Sequence, residues 1–261
     1  STGRRTALAK WITDRKNPLT ARVAVNQIWL RHFGEPIVGS VFDFGRQTAE
    51  PELAELLDYL AMEFLESGWS MKHLHRLILT SEAWQRTSSN LNADPATLSK
   101  DTANAFLWRM NSRRMESQVI RDSLVHLAGE LDLAMGGPSI EPTPDARRRS
   151  LYFQHSRDKQ SQLLSTFDDA EILACYRRSE SIIPQQALAL SNSKLALEMA
   201  AKIPAAFGEN LSTTEFAREA FQLILCREPN PSELAECVNF LNEEKDRGRL
   251  VHALLNHNDF I

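Results

Sequence analysis

Arginines set near carboxylates and amides are the residues whose types and spacing could do chemistry in this sequence. Three groups stand out, Arg113-Arg114, Arg147-Arg148-Arg149 and Arg177-Arg178, with an acidic run Asp168-Asp169-Ala170-Glu171 and an amide pair in Pro184-Gln185-Gln186. A guanidinium is a planar fork of donors that grips carboxylate, sulfate or phosphate through two bonds at once. Arg113, Arg114, Arg148, Arg177, Arg178, Asp168, Asp169, Gln185 and Gln186 are therefore candidate ligand-binding residues. The same groups have a plainer use, as an Arg–Asp network that fixes a long loop onto a helical body. We favour the network, because the overall charge balance is acidic. The glutamines, at a helix start, could hydrogen-bond a sugar or satisfy loop backbone.

A second polar set is expected to be structural. Arg22 and Asn26 are i, i+4 neighbours on an apolar helix continued by Trp29 and Phe33, and buried polar groups of this kind usually tie loop backbone to the core. His32, just before Gly34, suits a helix C-terminus. The seven histidines form no HExxH and no Cys/His cluster, so no metal and no cofactor are expected. Asp43-Phe44-Gly45 stands without the glycine-rich and catalytic loops that would give it meaning, and there is neither a GxSxG nor a P-loop. No catalytic residue can be assigned.

These residues sit on a chain of 261 residues, 43% hydrophobic and 25% charged, which is long enough to bury a sizeable core. Its 30 basic and 34 acidic residues give a net charge of −4, against general binding to nucleic acid. Cys175, Cys226 and Cys237 make no CxxC pair and no haem-attachment motif. No apolar run approaches the ~18 residues needed to cross a membrane.

The elements that must position the candidates are helical almost throughout. The spacing predicts helices opened by Asn17-Pro18 and stopped by Gly34, opened by Pro51 and stopped by Gly68, capped by Ser70, and running from about Met115 to Leu133. Ser212-Thr213-Thr214-Glu215 reads as a capping box, and Pro231 opens a further helix. Residues 136–183 break the period. Gly136-Gly137-Pro138, Pro142 and Pro144 mark a loop, and Arg149–Gln154 alternates like a short strand. The expected fold is mainly α, an irregular bundle of about eight helices with one loop-rich excursion holding a small β-hairpin. It reads as a single domain over 1–261, with 212–261 as a semi-independent helical subdomain.

Several ordered segments together resemble a known family. They include Asn17-Pro18-Leu19-Thr20-Ala21-Arg22-Val23, His32-Phe33-Gly34, Glu66-Ser67-Gly68-Trp69-Ser70, Leu107-Trp108-Arg109-Met110-Asn111, Met135-Gly136-Gly137-Pro138 and Pro184-Gln185-Gln186-Ala187-Leu188. The chain resembles the planctomycete-specific domain of unknown function found after cytochrome-c-like modules in large exported bacterial proteins. It departs from that family at Cys175-Tyr176-Arg177-Arg178, where the family has Pro after the cysteine. The resemblance implies an exported, periplasmic or envelope-associated protein, with its signal upstream of Ser1, and a partner in the adjoining cytochrome-c-like module or another envelope protein. The expected function is a non-catalytic binding or assembly module. The alternative is an enzyme, or an enzyme's accessory domain, acting on an anionic polysaccharide such as a sulfated one.

Overall fold

The computed structural model describes residues 2–90, 93–173, 178, 180–208 and 210–261. It is mainly helical, with twelve α-helices and no β-ladder among the described residues. The chain groups into two compact units, Ser1–Arg113 and Arg114–Ile261.

The first unit holds α1 (Arg4–Ile12), α2 (Thr20–Phe33), α3 (Ala54–Glu66), α4 (Met71–Leu79) and the short α5 (Pro95–Lys100). Its core forms where the apolar stripes of α2, α3 and α4 meet, burying Val25, Phe33, Leu57, Leu60, Phe64, Leu74 and Ile78. The expected stop at Gly34 is there, with a φ of 81° that a residue bearing Cβ tolerates poorly. Ser70 caps α4 by accepting from the His73 amide. Asn17 works one turn ahead of α2, its Oδ1 accepting from the Leu19 amide at 2.9 Å. Pro51 lies just before α3 rather than in its first turn.

The second unit holds α6 (Ser117–Leu127), α7 (Gln162–Thr166), α8 (Pro184–Asn192), α9 (Lys194–Lys202), α10 (Thr213–Leu225), α11 (Pro231–Glu244) and α12 (Arg247–Leu255). One core takes side chains from both the early and late helices, among them Ile120, Leu124, Leu190, Met199, Phe216, Ile224, Val251 and Leu255. Residues 212–261 thus share their core with α6, α8 and α9. The capping box of α10 is complete, with Ser212 Oγ accepting from the Glu215 amide and Glu215 returning the bond to the Ser212 amide.

The excursion differs from expectation in one respect. Arg149–Gln154 is not a strand of a hairpin. Ser150–Tyr152 forms a 3-10 turn, and the nearby pairings are isolated bridges, Asp132 with Arg148 and Ile140 with Phe153. The alternation that read as a strand arises because Ser150 is tied inward by Asp122 while Leu151 faces out. Helix α6 also ends at Leu127, short of Leu133, because Gly129 turns the chain with a φ of 71°.

Candidate functional site

One buried arginine on α6 ties residues 146–153 of the excursion to the helical body. Helix α6 buries Ser117, Ile120, Arg121, Leu124 and Val125, an i, i+3, i+4, i+7, i+8 face in which Arg121 takes an apolar register. Arg121 is 2% exposed. It donates to Asp122 at 2.8 Å, to the Arg148 carbonyl at 2.7 Å and to the Ala146 carbonyl, and its guanidinium lies 4.7 Å from the Phe153 ring centre. Burial pushes its pKa down while the Asp122 carboxylate holds it up. Asp122 accepts from the Ser150 amide and hydroxyl in turn.

The predicted residues fall into separate places. Arg113 belongs to the first unit, donating to the Arg31 carbonyl and packing against Gly34. Arg148 clamps the glycine turn: it donates to the carbonyls of Ala134, Gly136 and Pro138 and stacks 3.9 Å from the Tyr152 ring centre. Arg114, Asp168 and Gln186 come together. Arg114 donates to the Ser181 carbonyl and, at 2.7 Å, to Gln186 Oε1. Asp168, in the left-handed region at φ 58°, accepts from the Ser181 amide and hydroxyl. Gln186 is buried and donates to the Thr166 carbonyl. Gln185 is exposed on α8. Arg177 lies outside the described residues.

In the first unit, Arg22 donates to Asp58 at 2.5 Å and to the Pro18 carbonyl. Asn26 exchanges two bonds with the Val38 backbone, 3.0 and 2.8 Å, pinning the loop after α2. His32 Nε2 lies 2.7 Å from His75 Nδ1. Burial, then His75 and Arg113, lower the His32 pKa.

Of the predicted residues, Asp169 and Arg178 line one cleft, and Asp168 joins Asp169 in a hollow beside it. The cleft has a volume of about 300 Å³, in the size range of small-molecule sites, and Glu116, Gln118, Phe153, His155, Asp169 and Arg178 are among its walls. The adjoining hollow, of about 470 Å³, shares His155, Gln160, Asp169 and Ala170 with it. Arg178 Nη2 is 3.2 Å from Glu116 Oε2, and its Nη1 is 4.0 Å from Asp169 Oδ1. Its Nε and Nη1 are buried and find no hydrogen-bond partner among the described residues. Leaving such donors unmet costs about 1–3 kcal/mol, so a group that meets them gains that much. Asp169 Oδ1 accepts from Gln118 and from the Ala170 amide, and Oδ2 is 3.8 Å from His155 Nδ1.

Sequence reasoning missed Glu116, Gln118 and His155 as cleft residues, and missed the Arg121–Asp122 anchor. Only the anchor left a readable trace, an arginine in the register of an apolar stripe. The cleft residues are brought together by the excursion's path, and no spacing encodes that.

Among the described residues no group of three or more His, Cys, Asp or Glu side chains gathers as a metal site would require. No helix among them is long and apolar enough to cross a membrane. A family profile described as a protein of unknown function (DUF1553) matches residues 4–241. No curated protein and no solved structure matches the chain.

Proposed function

The chain belongs to the DUF1553 family of proteins of unknown function, and from that premise we propose a non-catalytic binding or assembly module of an exported, envelope-associated planctomycete protein. The observation that carries the binding role is Arg178, two of whose donors find no partner among the described residues and which lines a cleft with Glu116 and Asp169. The sequence resemblance supplies the setting: a cytochrome-c-like neighbour module, export to the periplasm or envelope, and interaction with that module or another envelope protein.

The test is a thermal-shift panel on the purified chain with neutral, uronic and sulfated glycans, phosphate, and the neighbouring cytochrome-like module. A ligand at about 100 times its Kd stabilises the fold by about 2.7 kcal/mol, a shift of several degrees. A shift with a glycan that disappears in Arg178→Gln supports the cleft as the binding site. A shift with the cytochrome-like module alone supports assembly over ligand binding. Silence across the panel overturns the binding role.

His155 near Asp169, 3.8 Å apart on the cleft wall, favours a second reading, an enzyme or accessory domain acting on an anionic polysaccharide, with His155 as proton acceptor. That reading requires new reducing ends from a sulfated glycan with the wild-type chain, and none with His155→Ala.

A further inference from the structure

We propose that the Arg178 cleft takes a neutral, hydroxyl-rich saccharide in preference to an anion. The inference rests on the reading of this cleft as a ligand site and adds the class of ligand.

Charge argues first. Arg178 stands between Glu116 and Asp169. The other cation at the rim, Lys159, is engaged by Glu141. One guanidinium thus faces two carboxylates, and an anion entering here meets a wall that already carries negative charge. That repulsion is a device for rejecting the wrong partner.

The hydrogen-bonding inventory argues second. The unmet groups are donors, Nε and Nη1 of Arg178. Beside them is an acceptor with capacity left, Asp169 Oδ2, for which the His155 Nδ1 nitrogen lies at 3.8 Å, beyond hydrogen-bond reach. A ligand that suits both must accept and donate within a few ångströms without bringing charge. A hydroxyl does both through one oxygen, and vicinal hydroxyls on a sugar ring offer that pair repeatedly.

The walls argue third. Leu151 stands 57% exposed at the edge, with Phe153 half-buried beside it. A pyranose has an apolar C–H face to lay against such a wall while its hydroxyls turn to Arg178 and Asp169. An inorganic anion has no use for that surface. The adjoining hollow, reached past His155 and Asp169, adds length for more than one ring.

The test is titration calorimetry of the full chain with cellohexaose, mannohexaose, an oligogalacturonate and a chondroitin sulfate hexasaccharide. Each is run at about 0.05 M and about 0.5 M salt, a range over which screening of charge changes strongly. Arg178→Gln and Leu151→Ala are measured alongside; Leu151 is an exposed rim residue whose truncation leaves the core intact. The expected result is a neutral hexasaccharide whose Kd is flat with salt and weakens about tenfold in each variant, equivalent to 1.4 kcal/mol. Binding confined to the galacturonate and chondroitin sulfate, falling with salt and lost in Arg178→Gln, overturns the neutral ligand class while leaving the cleft as a binding site. A neutral hexasaccharide bound equally well by both variants overturns the placement in this cleft. Binding of none of the four overturns the proposal and, if phosphate and the neighbouring module are silent too, the binding role with it.

Discussion

Residues 136–154 and residues 155–183 run through one loop-rich excursion, and they use arginine in opposite ways. In the first stretch the guanidinium groups are spent on the fold. Arg148 closes on three carbonyls of the glycine turn, Arg147 bridges Glu130 and Glu198, and Arg121 from α6 takes the carbonyls of Ala146 and Arg148. Arg148 leaves one donor unmet, Nε, with both terminal nitrogens engaged. In the second stretch Arg178 leaves two donors unmet, one of them terminal. Burial explains the contrast. Ser150 is the only buried residue between 136 and 154, so hydrogen bonds must hold that stretch in place. Between 155 and 183, Leu164 and Phe167 reach the interior and the Gln186 network ties the returning chain. With apolar anchors available, one arginine is spared for another use.

The sharpest way to break this comparison is to remove the anchor of the first stretch. Arg121→Ala leaves the carbonyls of Ala146 and Arg148 without their donor and strands Asp122 close to a buried surface. Removing one partner of a buried, hydrogen-bonded ion pair costs about 3–5 kcal/mol, which chemical denaturation of the second unit should register. Arg148→Gln keeps the anchor and loses the clamp, for about 1–2 kcal/mol. A loss under about 1 kcal/mol for Arg121→Ala would mean that apolar packing, not arginine, holds residues 136–154.

Much of the fold was legible in the sequence. Gly34, Ser70, the Ser212 box and Pro231 mark helix ends through local chemistry that acts within a few residues, so spacing alone reveals them. The strand expected at Arg149–Gln154 failed because alternation reports which side chains turn inward and does not report what turns them. At Ser150 the cause is a carboxylate on α6, 28 residues away in sequence. The candidate site was legible as a composition and not as a place. Arg114, Asp168 and Gln186, read from the sequence as candidate ligand-binding residues, form a tie, while the cleft pairs Arg178 with Glu116, Gln118 and His155. Those contacts depend on how a loop of about fifty residues returns, and no local rule fixes that path.

The contrast between spent and spared arginines has a pH form at the other end of the second unit. Arg227 donates to both oxygens of Glu233, at 2.8 and 2.7 Å, and to Asp259 at 2.7 Å. The Arg227 guanidinium holds the Glu233 carboxyl down at about 2, against an ordinary value of 4.5. A carboxylate so lowered contributes its full stabilisation above about pH 4.5 and loses it as pH falls towards 2. Glu233→Gln should therefore cost about 1 kcal/mol near neutrality, the modest sum expected of a partly exposed pair. The gap between variant and wild type should close on acidification through that window. A gap that stays constant from pH 7 to pH 3 would mean that Glu233 acts through its capping bonds to Asn230 and not through charge.

The smallest expected effect carries the most weight. Arg178→Gln removes a guanidinium that is paired with Glu116 at 3.2 Å and has two unmet donors. The lost attraction and the relieved desolvation oppose one another, so stability should change by no more than about 0.5 kcal/mol in either direction. Arg148→Gln, measured in the same denaturation series, sets the scale for an arginine that holds structure. If Arg178→Gln falls as far as Arg148→Gln, Arg178 is one more clamp of the excursion and the distinction between the two stretches disappears. If its stability is unchanged while saccharide binding is lost, the two stretches divide as their burial predicts. One is then fastened by its arginines, and the other is fastened by its core and holds an arginine open to a ligand.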